Sequence, residues 1–138
     1  MNLTVSHTFI QVLDQDEALG FYRDILGLEV RADAPIEDLR WLTVGPKDQP
    51  DVQIGLLPPE MGRSAADAAV LRELIAKGAV APVIFATDDV DKLFESVRAA
   101  GAEVLQEPVN QFYGVRDCAF RDPSGNHIRF SQELPPTT

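Results

Sequence analysis

Apolar and polar positions alternate from Val5 to Val12. Thr8, Ile10 and Val12 fall on one face and His7, Phe9 and Gln11 on the other, so the spacing predicts a half-buried strand. Asp14 and Glu17 then have the spacing of a capping box, and Ala18, Phe21, Tyr22 and Ile25 follow at helical spacing. Gly27 suits the left-handed stop of that helix. Three further strands are predicted, at 28–31, 41–44 and 52–57, with a loop from Pro46 to Pro50. Pro58-Pro59 breaks the pattern. A second helix starts near Ser64, places Val70, Leu71, Leu74 and Ile75 on one side and stops at Gly78.

The pattern then restarts. Val83 to Thr87 reads as a strand, Val90, Leu93, Phe94 and Val97 as a helix stripe, and Gly101 as its stop. Strands at 103–105 and 115–120 flank a loop, 106–114, that carries Phe112 and Tyr113. Asp122-Pro123-Ser124-Gly125 is turn chemistry. The strand behind it sets Ile128 and Phe130 on one face and His127, Arg129 and Ser131 on the other. Leu26-Gly27-Leu28-Glu29-Val30 aligns with Ala100-Gly101-Ala102-Glu103-Val104, Asp14 with Asp89, and Arg40 with Arg116. The chain is therefore an internal repeat of two β-α-β-β-β modules. The expected organisation is module one over 3–58, a connector helix over 59–79, module two over 80–133 and a polar, proline-rich tail over 134–138. Each helix covers one face of its sheet. The faces left open predict a concave, sheet-lined site for a ligand.

Composition narrows this picture. A chain of 138 residues with 45% hydrophobic and 25% charged residues is enough for one domain with a core. The net charge of -10, with no lysine or arginine cluster, speaks against nucleic acid and against an anionic membrane surface. The lone cysteine, Cys118, can form neither an internal disulfide nor a cysteine zinc site, and its apolar alternation with Phe120 predicts a buried thiol. No basic leader or membrane-length apolar run is visible, so a cytoplasmic protein is expected.

Two stretches carry a family likeness. Leu19-Gly20-Phe21-Tyr22-Arg23-Asp24-Ile25-Leu26-Gly27-Leu28 and Asp122-Pro123-Ser124-Gly125-Asn126-His127-Ile128-Arg129 resemble the helix end and closing hairpin of the vicinal oxygen chelate superfamily. That group holds glyoxalases, bleomycin-resistance proteins and extradiol dioxygenases. The resemblance implies an α+β fold: two tandem βαβββ modules form a curved, cup-shaped mixed sheet with helices outside, commonly as a homodimer. It also implies four metal-ligand positions. Here they read His7, Gly55, Pro82 and Arg129, so only the first keeps a ligand, and a guanidinium repels a cation.

The candidate ligand-binding residues are His7, Phe9, Gln11, Trp41, Gln53, Phe112, Tyr113, Arg116, His127 and Arg129. The aromatic ones can line a pocket or fill the core, and Phe112 and Tyr113 can form a movable lid. His7, Gln53 and His127 are an alternative metal trio, disfavoured by the amide. Arg129 either holds an anionic ligand or pairs internally with Glu29, Glu103 or Glu133. The expected function is metal-independent binding of an aromatic or anionic small molecule, with no cofactor. The alternatives are a metal-dependent lyase or dioxygenase, using nickel, zinc, iron or manganese, and a metal-free enzyme. In the last, His7 is the general base and Arg129 stabilises an oxyanion.

Overall fold

A computed structural model describes residues 1–136. Two four-stranded sheets form, with three helices. In chain order the elements are β1 (His7–Gln11), α1 (Gln15–Leu19, continued by a π-helical turn Gly20–Ile25), β2 (Glu29–Ile36), β3 (Leu39–Gly45), β4 (Gln53–Leu57) and α2 (Ala65–Ala76). Then come β5 (Val83–Ala86), α3 (Val90–Ala99), β6 (Glu103–Asn110), β7 (Val115–Arg121) and β8 (His127–Glu133). The first sheet runs β1-β4-β3-β2 and the second β5-β8-β7-β6, so the repeat is preserved in topology. In each, the first and last strands pair parallel and the rest antiparallel. No helix among the described residues is long and apolar enough to cross a membrane.

The capping predictions at Asp14 and Ser64 correspond to real contacts, while the helix after β5 is capped by Asp89 rather than by Thr87 or Asp88, where the sequence places the cap. Asp14, Ser64 and Asp89 each accept from the backbone N–H three residues on, which satisfies an otherwise orphaned donor of the first turn. The first helix is less regular than its stripe predicts. Leu26 N donates to Phe21 O and Leu28 N to Tyr22 O, and the wider turn lets the neighbours Phe21 and Tyr22 both point inward. One core joins the modules. Ile10, Val12, Leu42, Val44, Ile54 and Leu56 of the first sheet share it with Phe120, Ile128 and Phe130 of the second and with Phe21, Tyr22, Val90, Phe94 and Val97 of the helices. Cys118 is fully buried, and burial pushes its thiol up to about 11.

The structure corrects several expectations. β6 runs eight residues, through Pro108, where the sequence places a loop from 106 to 114, and β2, which the sequence begins at 28–31, continues through Pro35 to Ile36. Both are outer strands of their sheets, the one place a proline without N–H is tolerated. Val70 of α2 is exposed, and the buried positions of that helix are Ala68 and Ile75. β8 ends at Glu133, and Leu134 N donates to Gly114 O. Residues 137–138 of the expected tail lie outside the described residues. The α+β architecture of two βαβββ modules is as the sequence implies, with the eight strands in two four-stranded mixed sheets, one per module.

Candidate functional site

The closing turn is a structural joint. Asp122 is buried, and its Oδ1 accepts from the backbone N–H of Ser124, Gly125 and Asn126 at 3.0, 3.0 and 2.8 Å. Its Oδ2 accepts from Asn126 Nδ2 at 2.9 Å and from the Tyr22 hydroxyl of module one at 2.7 Å. Ser124 Oγ accepts from Leu13 N, and Asn126 Nδ2 donates to Gln11 O. Both family-like stretches thus meet, and what they do is lock module two onto module one. Gly125 sits at φ +115°, and a Cβ there would lie 2.5 Å from Ile75 O. Only glycine lets the turn approach the end of α2 this closely.

The joint leaves one face of each sheet open. On the first sheet the register sets His7 beside Gln53, and Phe9 beside Gly55 beside Thr43. The Phe9 ring lies over Gly55, where an added Cβ would be 2.6 Å from Phe9 Cδ1. Trp41 meets the Phe9 ring edge-on at 6.1 Å between centroids and the His7 ring at 6.3 Å. Thr43 Oγ1 donates to Gln53 Oε1 at 2.8 Å. The amide oxygen is thereby occupied, and its NH₂ remains to donate.

On the second sheet, Arg129 answers the question of its partner. Its Nη1 lies 2.9 Å from Asp117 Oδ2 and donates to Gln106 Oε1 at 3.0 Å. The Asp117 side chain is only 2% exposed and that of Arg129 20%. Gln106 Nε2 and Gln111 Nε2 donate to Asp117 Oδ1 at 2.8 and 3.0 Å, and the Tyr113 hydroxyl lies 3.5 Å from Oδ2. Burial pushes the Asp117 carboxyl up, but the hydrogen bonds from Gln111 and Gln106 and the charge of Arg129 outweigh it and hold the group below the usual range. His127 Nε2 lies 3.4 Å from Arg129 Nη2. Desolvation, then the charges of Arg129 and Arg121, lower its pKa, so the imidazole is neutral at pH 7.

The predicted residues therefore divide into two groups. His7, Phe9, Trp41 and Gln53 come together on the first sheet, and His127, Arg129 and Tyr113 near one another on the second. Among the described residues, no hydrogen bond, ion pair or aromatic contact joins the two groups. Phe112 projects from the β6–β7 turn at 97% exposure, with Tyr113 beside it. Gln11 is drawn away, its Oε1 accepting from Arg63 and its carbonyl from Asn126. Arg116 pairs with Asp91 at the start of α3, as Arg40 pairs with Asp16 at the start of α1. Those two arginines clamp strand to helix in equivalent places and do not serve the open faces. Glu29 and Glu103, expected beside Arg129, pair instead with Arg31 and Arg121. Asp117, Gln106, Gln111 and Thr43 were missed. For Asp117 it is the register of β7 on β8, pairing Ala119 with Arg129, that brings the carboxylate to the arginine.

These residues do not fit a divalent ion at the family's positions. Gly55 lies under a phenyl ring, Pro82 has no donor, and Arg129 holds a carboxylate of its own. Gln53 Oε1 already accepts from Thr43, and His7 and His127 sit on different sheets. Among the described residues no three His, Cys, Asp or Glu side chains gather as a metal group. Several cavities follow the seam between the modules. One of about 190 Å³ is lined by Phe9, Gln11, Val80, Ala81, Val83 and Asn126. Another, of about 510 Å³, is lined by Leu26, Leu28, Pro46, Ile84, Phe85 and Phe130 among others, and a third, of about 400 Å³, by Ile25, Ala76 and the closing turn from Asp122 to Gly125.

A duplicated α+β chain with joined modules and two open, polar-aromatic sheet faces is the class defined so far. The sequence pattern of the Glyoxalase/Bleomycin resistance protein/Dioxygenase superfamily matches residues 4–130, and the chain belongs to that superfamily. It is 31% identical over 134 residues to the uncharacterized protein YurT of Bacillus subtilis (strain 168), covering 96% of this chain and 100% of that one. The crystal structure of UcmS2 superposes with a TM-score of 0.86 at 41% identity, covering 95% of this chain and 98% of that one. That of TnmS3, an antibiotic binding protein from Streptomyces sp. CB03234, superposes with a TM-score of 0.76 at 29% identity, covering 96% and 97%.

Proposed function

We propose that this chain is a small-molecule-binding protein that works without a divalent metal, as a homodimer in the cytoplasm. The observation that carries the reading is the Phe9 ring seated over Gly55. A position the superfamily can use for a metal-binding carboxylate is filled here by an aromatic wall shared with Trp41 and His7. Such a wall offers a ligand flat apolar contact, and the Gln53 NH₂ beside it offers a directed donor. The likeness to an antibiotic binding protein supports binding rather than turnover.

What the open faces expose supports the dimer reading. Phe9 is 48% and Ile84 61% exposed, and the Phe112 ring is free. Exposed apolar side chains on both open sheets and on the β6–β7 turn favour burial against a second copy. A pocket would then close between open faces of two chains.

The test is a thermal-shift screen of small aromatic compounds, repeated with EDTA and after dialysis against nickel, zinc, iron and manganese. The expected result is stabilisation by some compounds that EDTA leaves unchanged. One tightly held ion per chain, or loss of ligand stabilisation on chelation, would overturn the proposal. Sedimentation of the purified chain checks the dimer, and a monomer at micromolar concentration would refute that part.

A further inference from the structure

We infer that Asp117 sets the charge specificity of the open face of the second sheet: it is a resident anion on Arg129, so this face selects electrically neutral, hydrogen-bonding ligands and rejects carboxylates and phosphates. The inference rests on the binding function proposed above and names the class of ligand. Arg129 is the cation of this face, and its guanidinium is already used. Asp117 Oδ2 lies 2.9 Å from Nη1, and Gln106 Oε1 accepts from the same nitrogen at 3.0 Å. The carboxylate is held as firmly as a bound ligand would be, by Gln106, Gln111 and the Tyr113 hydroxyl as well as by Arg129. It is nearly inaccessible to water, whereas the arginine reaches the surface.

An anionic ligand at this face would have to take Arg129 from a partner a few ångströms away, or accept a second negative charge beside its own. In a poorly solvated site either alternative is unfavourable. His127 is neutral and adds no charge to offset it. A neutral ligand meets a different surface. It finds the amide oxygen of Gln111, whose Nε2 alone is spent on Asp117, and an imidazole nitrogen, both able to exchange hydrogen bonds. Because Gln111 and Tyr113 touch Asp117 and flank Phe112, the same carboxylate fixes the aromatic turn at the rim.

The test replaces Asp117 by Asn, which keeps the shape and an acceptor oxygen and removes the charge. Inorganic phosphate and benzoate are the anionic probes and benzamide the neutral control. Binding is followed by NMR shifts of the arginine Nε–H and backbone amides in wild type, D117N, R129Q and the double variant. In wild type the expected result is no saturable phosphate or benzoate site at tens of millimolar. D117N should gain affinity for both anions by roughly tenfold or more, and the double variant should lose it. D117N without such a gain overturns the inference, as does wild type that binds benzoate as tightly as D117N. Should D117N fail to fold, the wild-type titration still decides, because a saturable anion response at Arg129 refutes the idea by itself. A screen that found no ligand at all would overturn the proposed function and leave the D117N result standing. A tightly bound carboxylate ligand contacting Arg129 would do the reverse.

Discussion

Tyr22→Phe removes one oxygen from the joint between the modules and nothing else. The ring is completely buried, and its hydroxyl donates to Asp122 Oδ2 at 2.7 Å. A hydrogen bond to an ionised carboxylate contributes about 1.5–3 kcal/mol, twice or so a neutral one. Two features set the figure within that range. Oδ2 keeps its bond from Asn126 Nδ2, so the carboxylate is not orphaned, and the phenyl ring keeps its packing against Phe21. We therefore expect a loss of about 2 kcal/mol. The assay is equilibrium unfolding in urea followed by circular dichroism. With a slope of about 2 kcal/mol/M for a domain of this size, the midpoint should fall by about 1 M with the slope unchanged. Alkaline pH supplies a second reading of the same contact. Burial first, and then the charge of Asp122 and the hydrogen bond to it, raise the Tyr22 pKa well above 10.0. Above about pH 10 the unfolded chain ionises this phenol and the folded chain does not, so stability present below that pH is lost as pH rises. The variant lacks this proton, and its stability should fall less steeply, by about 1.4 kcal/mol per pH unit. A midpoint shift under about 0.2 M, with identical alkaline slopes, would refute the claim that this contact holds the modules together.

Two more outcomes are expected. Gly125→Ala places a Cβ 2.5 Å from Ile75 O and 2.8 Å from Ala76 O at a positive φ, and should destabilise the chain by about 3 kcal/mol or more, seen as a large drop in melting temperature or in soluble yield. His127 has a folded pKa below its unfolded one, so its contribution is complete above about pH 6.5 and is lost as pH falls from there through the lower folded pKa. His127→Gln should therefore flatten the fall in melting temperature between pH 7 and pH 5, and unchanged slopes in that window would count against a desolvated imidazole.

What could be read from the chain was local. Period-two alternation, capping residues and glycine stops marked the helices and the inner strands, because each of those signals acts over a few residues. Only the far ends of the outer strands β2 and β6 were not legible, because Pro35 and Pro108 look like breaks until the sheet order shows that they need no hydrogen bond on their free side. The site was legible in part. Arg129 stood out as a cation where the fold family can place a metal ligand, but its partner Asp117 is twelve residues away on β7. No spacing rule distinguishes it from Glu103 or Glu133. The register of β7 on β8 decides that pairing. Gly55 likewise looked like a missing ligand. Only the pairing of Phe9 with Gly55 across β1 and β4 reveals that the space is taken.

The same logic explains why the two modules, alike in topology, are unlike at the seam. Each has an arginine clamped to its own helix, Arg40 to Asp16 and Arg116 to Asp91. Only module two has the Asp122–Asn126 turn, whose side chains reach Tyr22, Leu13 and Gln11 of module one. The corresponding connection in module one, Pro46 to Val52, spends its hydrogen bonds on itself and on Arg31: Gln49 N donates to Pro46 O, Val52 N to Gln49 O and Arg31 Nη2 to Pro46 O. Among the described residues no side-chain hydrogen bond is thrown across from that connection, and a cavity of about 510 Å³ lies beside it between the modules. A duplicated fold needs its modules fastened at one place to share a core. Here a five-residue turn does the fastening, and the residues freed from it, on β1, β4, β7 and β8, are available to meet a ligand.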